Sequence, residues 1–195
     1  MDIFRFLGAQ TDRDQVSTGD TELNSRIQSA NAKFAEYKRI LTDPNIWMTT
    51  KMLYFNSLIR SRLTYSCQNW TVTPTQYDKM DRAQRKMLRR MVRGGHSRVD
   101  SENGDWSYKI STKKLLEICD TEDLSHYIKR QQKKYAAHII RQPNSSLNKQ
   151  LMFNSNDNKK LGKPVRTLLS EVLENENLGN DYIDQFCTGA RHREY

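Results

Sequence analysis

Seven cations between residues 79 and 93 recur at helical spacing: Lys79, Arg82, Arg85, Lys86, Arg89, Arg90 and Arg93. At 100° per residue they share an arc of about 140°. Tyr77, Met80, Met87, Leu88 and Met91 take the opposite side. A helix over 75–93, stopped by Gly94-Gly95, would bury the apolar face and present the other as a cationic ridge. From Lys79 to Arg98 there are eight cations and one acid, Asp81. Like charges at i,i+4 each oppose the helix by roughly 0.2–0.5 kcal/mol. A ridge without interleaved glutamate therefore implies an anionic partner. Five of the seven are arginine, whose planar fork suits bidentate contact with phosphate. Two other readings stand beside this one. One is a solvated face; the other is a Met-rich basic helix, 75–94, that docks into an acidic partner protein or onto a membrane.

A second basic helix over 121–141 supports the phosphate reading. Lys129, Arg130, Lys133, Lys134 and Arg141 gather on one side, and Leu124, Tyr127, Ile128, Tyr135 and Ile139 face largely the other way. Two basic faces imply a track along a polyanion rather than a point site. Phosphate contacts position a protein without reading bases, so little sequence preference is expected.

Catalytic chemistry has no carrier here. No nucleophile elbow, phosphate-binding glycine loop or carboxylate pair opposite a histidine is present. Cys119 and His126 are seven apart, and no C-x-x-C or H-x-x-x-H pair occurs, so neither a metal nor a cofactor is expected. His138, between apolar residues, reads as a hydrogen-bonded core histidine. Asp100, Glu102 and Asp105 fall in a polar stretch and read as solvated.

The chain has 195 residues and a net charge of +9, most of it in the 79–98 window. Such a surplus favours polyanions. Three scattered cysteines fit a reducing, intracellular compartment, cytoplasm or nucleus. No apolar run reaches the roughly 20 residues of a membrane span.

The elements that must position these faces are mainly helical. Leu23, Ile27, Ala30, Phe34, Tyr37 and Leu41 form one stripe of a helix over 20–41, with Asp20 as N-cap. Met52, Phe55, Ile59 and Leu63 stripe a second helix over 49–68. With Leu53 and Leu58 beside them, this helix is expected to be the most buried element. With 75–93 these make a compact three-helix bundle. The prolines Pro44, Pro74, Pro143 and Pro164 read as breaks between helices. Residues 1–8 alternate apolar and charged side chains, a strand pattern that needs a partner, either near Val16 or in a sheet outside the chain. The expected organisation is thus a short β-element at 1–19, a helical bundle at 20–94 and a linker at 95–110. A smaller helical extension at 111–195 follows, with helices at 111–118, 121–141, 164–176 and 180–187 and a mobile segment at 144–163.

Phe4, Phe6, Leu7 and Gly8 resemble the F-x-Y-L-G segment of reverse transcriptases of non-LTR (LINE-type) retrotransposons. The similarity continues in order. Arg26, Ile27, Ala30 and Phe34 resemble the family's R-I-x-x-A-x-x-x-F. Lys51, Leu53 and Tyr54 resemble K-x-x-L-Y, and Leu63, Tyr65 and Trp70 resemble L-x-Y-G-x-x-x-W. Gln84, Leu88 and Arg89 resemble Q-x-x-x-L-R-x-I, and His138 and Arg141 resemble W-x-G-H-x-x-R. Gly162-Lys163-Pro164 echoes a later G-R-P. Ser66 and Ala137 replace glycines of these patterns, Tyr135 replaces a tryptophan, and the tryptophan after G-R-P is absent.

The resemblance implies a fragment running from the primer-grip strand at Phe4–Gly8 through the thumb to a C-terminal extension. The catalytic aspartates would lie upstream, so the fragment would not polymerise alone. Its implied partners are an RNA or RNA/DNA template–primer duplex, gripped through the basic helices, and the upstream palm and fingers of the same polyprotein.

Overall fold

In the computed structural model the described residues are 3–6, 9–12, 20–92, 96–98, 106–108, 110–153 and 172; over 3–12, 96–108 and 151–153 the description is of the backbone. They are mainly helical. Two strands, β1 (Ile3–Phe6) and β2 (Ala9–Asp12), form an antiparallel ladder in which Phe4 faces Thr11 and Phe6 faces Ala9. The partner of the first strand is thus 9–12, not the region of Val16. The helices are α1 (Asp20–Glu36), α2 (Lys38–Leu41), α3 (Met48–Tyr54), α4 (Ser61–Leu63), α5 (Pro74–Met91), α6 (Thr112–Ile118), α7 (Leu124–Arg141) and α8 (Leu147–Phe153).

The chain divides into two compact units. One contains residues 20–65 and 73–126. Within it, α1 packs along the α3–α4 arm and along α5, and α6 packs on α5. The core is apolar and tight: Leu23, Phe55, Ile59, Leu63, Met80 and Leu88 have no exposed surface. Each such side chain contributes about 1.5–3 kcal/mol relative to solvent exposure.

Local chemistry sets the element ends. Thr73 and Gln76 form a reciprocal capping box: the Thr73 amide donates to Gln76 Oε1 at 2.9 Å, and the Gln76 amide to Thr73 Oγ1 at 3.4 Å. Pro74 occupies the first helical position, where its missing N–H costs nothing. It opens α5 rather than separating helices. Helix α6 starts on Ser111, which accepts from the Lys114 amide, and ends in a Schellman motif. There the Thr121 amide donates to Leu116 O and the Asp120 amide to Glu117 O, with Asp120 left-handed at φ 44°.

The helix over 20–41 is interrupted at Tyr37, which is in a turn between α1 and α2. Between α3 and α4, Phe55–Arg60 winds as a π-helix. There Ser57 and Ser61 turn their hydroxyls onto the carbonyls of Leu53 and Ser57, competing with the regular ladder. This arm is not buried around its girth: Leu53 is 69% exposed, because α1 covers only one side. The stretch 95–110 is more than a linker, since β3 (His96–Arg98) pairs antiparallel with β4 (Trp106–Tyr108).

The second unit contains residues 1–19, 66–72 and 127–195. Trp70 and Gln132 tie its middle together: the fully buried Gln132 amide donates to Trp70 O at 2.7 Å. Helix α8 falls inside the segment expected to be mobile, leaving 154–163 outside the described residues. The helices expected at 164–176 and 180–187 also lie outside them, Val172 excepted.

Ser66 holds a left-handed backbone, φ 61° and ψ 18°. A side chain there is disfavoured by about 1–2 kcal/mol, part of which glycine returns as unfolded-state entropy. Ser66→Gly is therefore expected to stabilise the chain by about 1 kcal/mol in urea titration; unchanged or lower stability would contradict the strain. Burial pushes the Cys119 thiol up to about 11. At pH 8 it is expected to resist alkylation until denaturant is added, and rapid native-state labelling would contradict that burial.

Candidate nucleic-acid interface

Helix α5 turns three sides to different surroundings. Tyr77, Met80, Met87, Leu88 and Met91 enter the core; the three methionines are at most 1% exposed. The remaining side, expected as one ridge, divides in two.

Its inner edge is occupied by the chain itself. Arg85 forks onto Asp123, Nε donating to Oδ1 at 2.7 Å and Nη2 to Oδ2 at 2.5 Å. Beside it, Arg85 Nη2 lies 3.8 Å from Asp81 Oδ2. The hydrogen bond to Asp123 is the main cause that raises the Arg85 pKa above the ordinary arginine value. Arg89 is 7% exposed and donates to Ile110 O and to Thr112 Oγ1. Asp81, 6% exposed, accepts from the Ser125 amide and the Ser125 hydroxyl, both at 2.8 Å. It thereby caps the first turn of α7 from another helix. Gln84 donates to Glu122 O at 2.8 Å, and Arg60, on the π-helical turn, reaches Thr121 and Glu122.

The outer edge is exposed. Arg82, Lys86 and Arg90 stand there at i,i+4 spacing. Arg82 Nε donates to Asp78 O, one turn back. Asp78 is the one acid of α5 on this edge, since Asp81 turns inward. Lys79, half-buried as a residue, makes a loose 3.5 Å pair with Asp20. Arg93 lies outside the described residues.

Helix α7 carries its own basic edge. Arg130, Lys134 and Arg141 are exposed, and Lys129 and Lys133 are half-buried. Arg130 lies over the Tyr127 ring at 5.6 Å. His138 is exposed and contacts Gln142 at 3.2 Å, so it is not the core histidine expected. With His126 it extends the row 126, 130, 134, 138 along one side of the helix. Ile128, Ala136, Ala137, Ile139 and Ile140 are buried on the other. Of the primer-grip-like residues, Phe4 and Phe6 lie on β1, and Leu7 and Gly8 lie outside the described residues.

Among the described residues no group of three or more His, Cys, Asp or Glu side chains is arranged to hold a metal ion. None of the described helices is long and apolar enough to cross a membrane. Comparison with protein-family models, curated proteins and solved structures finds no match to this chain.

Sequence reasoning missed the partners of the inner edge. Asp123 and Ser125 follow Arg85 and Asp81 by 38 and 44 residues, and Ile110 follows Arg89 by 21. The one local sign was Asp81, the single acid in a basic run.

A double-mutant cycle on Arg85→Ala and Asp123→Ala is expected to give a coupling of about 1–3 kcal/mol in urea unfolding. Additive single effects would remove the fork from the fold. Arg89→Met should lower stability by about 2 kcal/mol, and an unchanged midpoint would contradict its burial.

Proposed function

We propose that this chain is a non-catalytic nucleic-acid-binding piece, equivalent to the thumb and following segment of a non-LTR retrotransposon reverse transcriptase. It grips a template–primer duplex by the sugar–phosphate backbone. The observation that carries this reading is the outer edge of α5, where Arg82, Lys86 and Arg90 stand exposed on a helix whose apolar face is sealed. An exposed row of like charge on a rigid element fits a phosphate backbone in shape and sign. The upstream palm and fingers of the same polyprotein would supply the catalytic carboxylates.

Two features support the resemblance. Ser66 is left-handed at the place where the family pattern carries glycine, the residue that adopts this conformation without strain. Ala30, Phe34, Leu63, Trp70, Leu88 and Ala137, all at pattern positions, are buried. Gln84 and Arg89, the polar members of the Q-x-x-x-L-R pattern, act within the chain as ties to 110–122. In this chain those two positions hold the segment that follows α5.

Docking of the 75–94 helix into an acidic partner protein would need Met80, Met87 and Met91 at the surface. They lie in the core, so that reading would require α5 to leave its bundle.

If Lys79, Arg82, Lys86 and Arg90 each neutralise one phosphate, log K against log salt should fall with a slope of roughly −3.5. Anisotropy titration with an RNA/DNA heteroduplex measures this, and a flat dependence would contradict it. Arg82→Glu, Lys86→Glu and Arg90→Glu should each weaken binding more than Lys159→Glu or Lys160→Glu. Equal effects would remove α5 from the interface.

A further inference from the structure

A second surface in the 20–65 region has the chemistry of a nucleotide-stacking track. Along α1 and the following turn, Arg26, Ser29, Lys33 and Tyr37 recur at steps of three and four and so share one side. Each meets the antiparallel α3–α4 arm or a neighbour on the seam. The Arg26 guanidinium covers the Tyr65 ring at 4.7 Å, and Ser29 accepts from Arg62 Nη1 at 3.1 Å. Lys33 Nζ lies 5.0 Å from the Tyr37 ring centre, and Tyr37 stacks on Tyr54 with ring centres 6.4 Å apart and planes inclined by 30°. From residue 26 to residue 37 the seam runs about 16 Å. It carries three cations, Arg26, Arg62 and Lys33, between the Tyr65 ring at one end and the Tyr37 and Tyr54 rings at the other.

The rings at the two ends of the seam are partly exposed. Tyr65 is 49% exposed with a cation on one side, and Tyr54 is 37% exposed with a ring on one side. Glu22 and Glu36 hold Arg26 and Lys33 in position. Arg62 is exposed and is held by a hydroxyl; among the described residues it has no carboxylate partner. A double helix hides its base faces, so exposed rings at this spacing have no use for one. An unpaired strand offers both what the rings take, a π-face, and what Arg62 takes, a phosphate.

We propose that the seam between α1 and the α3–α4 arm binds an unpaired polynucleotide strand, with bases stacking on Tyr54 and Tyr65 and the backbone passing Arg62. This site rests on observations independent of the α5 edge and does not require the duplex reading to hold.

The test uses the full chain and a fluorescein-labelled, mixed-sequence single-stranded RNA of twelve nucleotides, alongside the heteroduplex. Tyr54→Leu and Tyr65→Leu should each weaken single-strand binding about tenfold, with heteroduplex affinity unchanged. Tyr54→Phe and Tyr65→Phe keep the ring and should restore single-strand binding. Lys86→Glu should do the reverse, weakening heteroduplex binding more than single-strand binding. Unchanged single-strand affinity in a doubly substituted Leu variant that melts like the parent would overturn the site. So would Phe variants as weak as the Leu variants. If the Leu variants alter only the oligomeric state in sedimentation, the seam is a protein contact and the proposal fails.

Discussion

Residues 81, 85 and 89 recur every fourth position on α5, and each holds a different point of the segment 110–125. Asp81 caps the start of α7, Arg85 forks onto Asp123, and Arg89 takes the carbonyl of Ile110. A helix repeats its azimuth closely at this spacing, so a single edge delivers all three ties. Gln84 adds a fourth at Glu122. These bonds are charge-assisted or buried, the class that costs most when one partner is lost. The segment after α5 is thereby folded back along the helix, and α6 is brought to pack on it.

The same constraint shapes the proposed binding surface. A basic helix in isolation would present all its cations to solvent and repel itself. Here the chain's own carboxylates and carbonyls neutralise or desolvate part of the ridge. What is left outward is a narrow row, Arg82, Lys86 and Arg90, on a rigid support whose other two sides are fixed by core packing and by polar ties. Rigidity matters for a backbone contact, because ordering long side chains on a mobile element would consume much of the gain. Removing Arg85 or Arg89 would disturb the support as well as the charge, whereas the outer row is separable from the fold.

Much of this was legible in the sequence. The apolar stripes of α1, the α3–α4 arm, α5 and α7 placed the core, because burial follows the 3.6-residue period directly. The basic edges were legible for the same reason. The depth of each cation was not, since it depends on acceptors 21 to 38 residues away along the chain. Serine hydroxyls bonded to the Leu53 and Ser57 carbonyls accompany the π-turn at Phe55–Arg60, which has no hydropathy signature. A proline alone signals a break, whereas the threonine N-cap before Pro74 makes it a start. His138 was placed inside from its apolar neighbours, yet its azimuth follows Arg130 and Lys134, which are exposed.

The central claim is the division of α5 into a tied inner edge and an exposed outer one. Arginine-selective modification with phenylglyoxal, read residue by residue by mass spectrometry with and without the RNA/DNA heteroduplex, tests it directly. Arg82 and Arg90 should react in the free protein and be protected in the complex, while Arg89 should resist in both. Equal reactivity of Arg89 and Arg82 in the free protein, or no protection of Arg82 and Arg90 by the heteroduplex, would contradict the account.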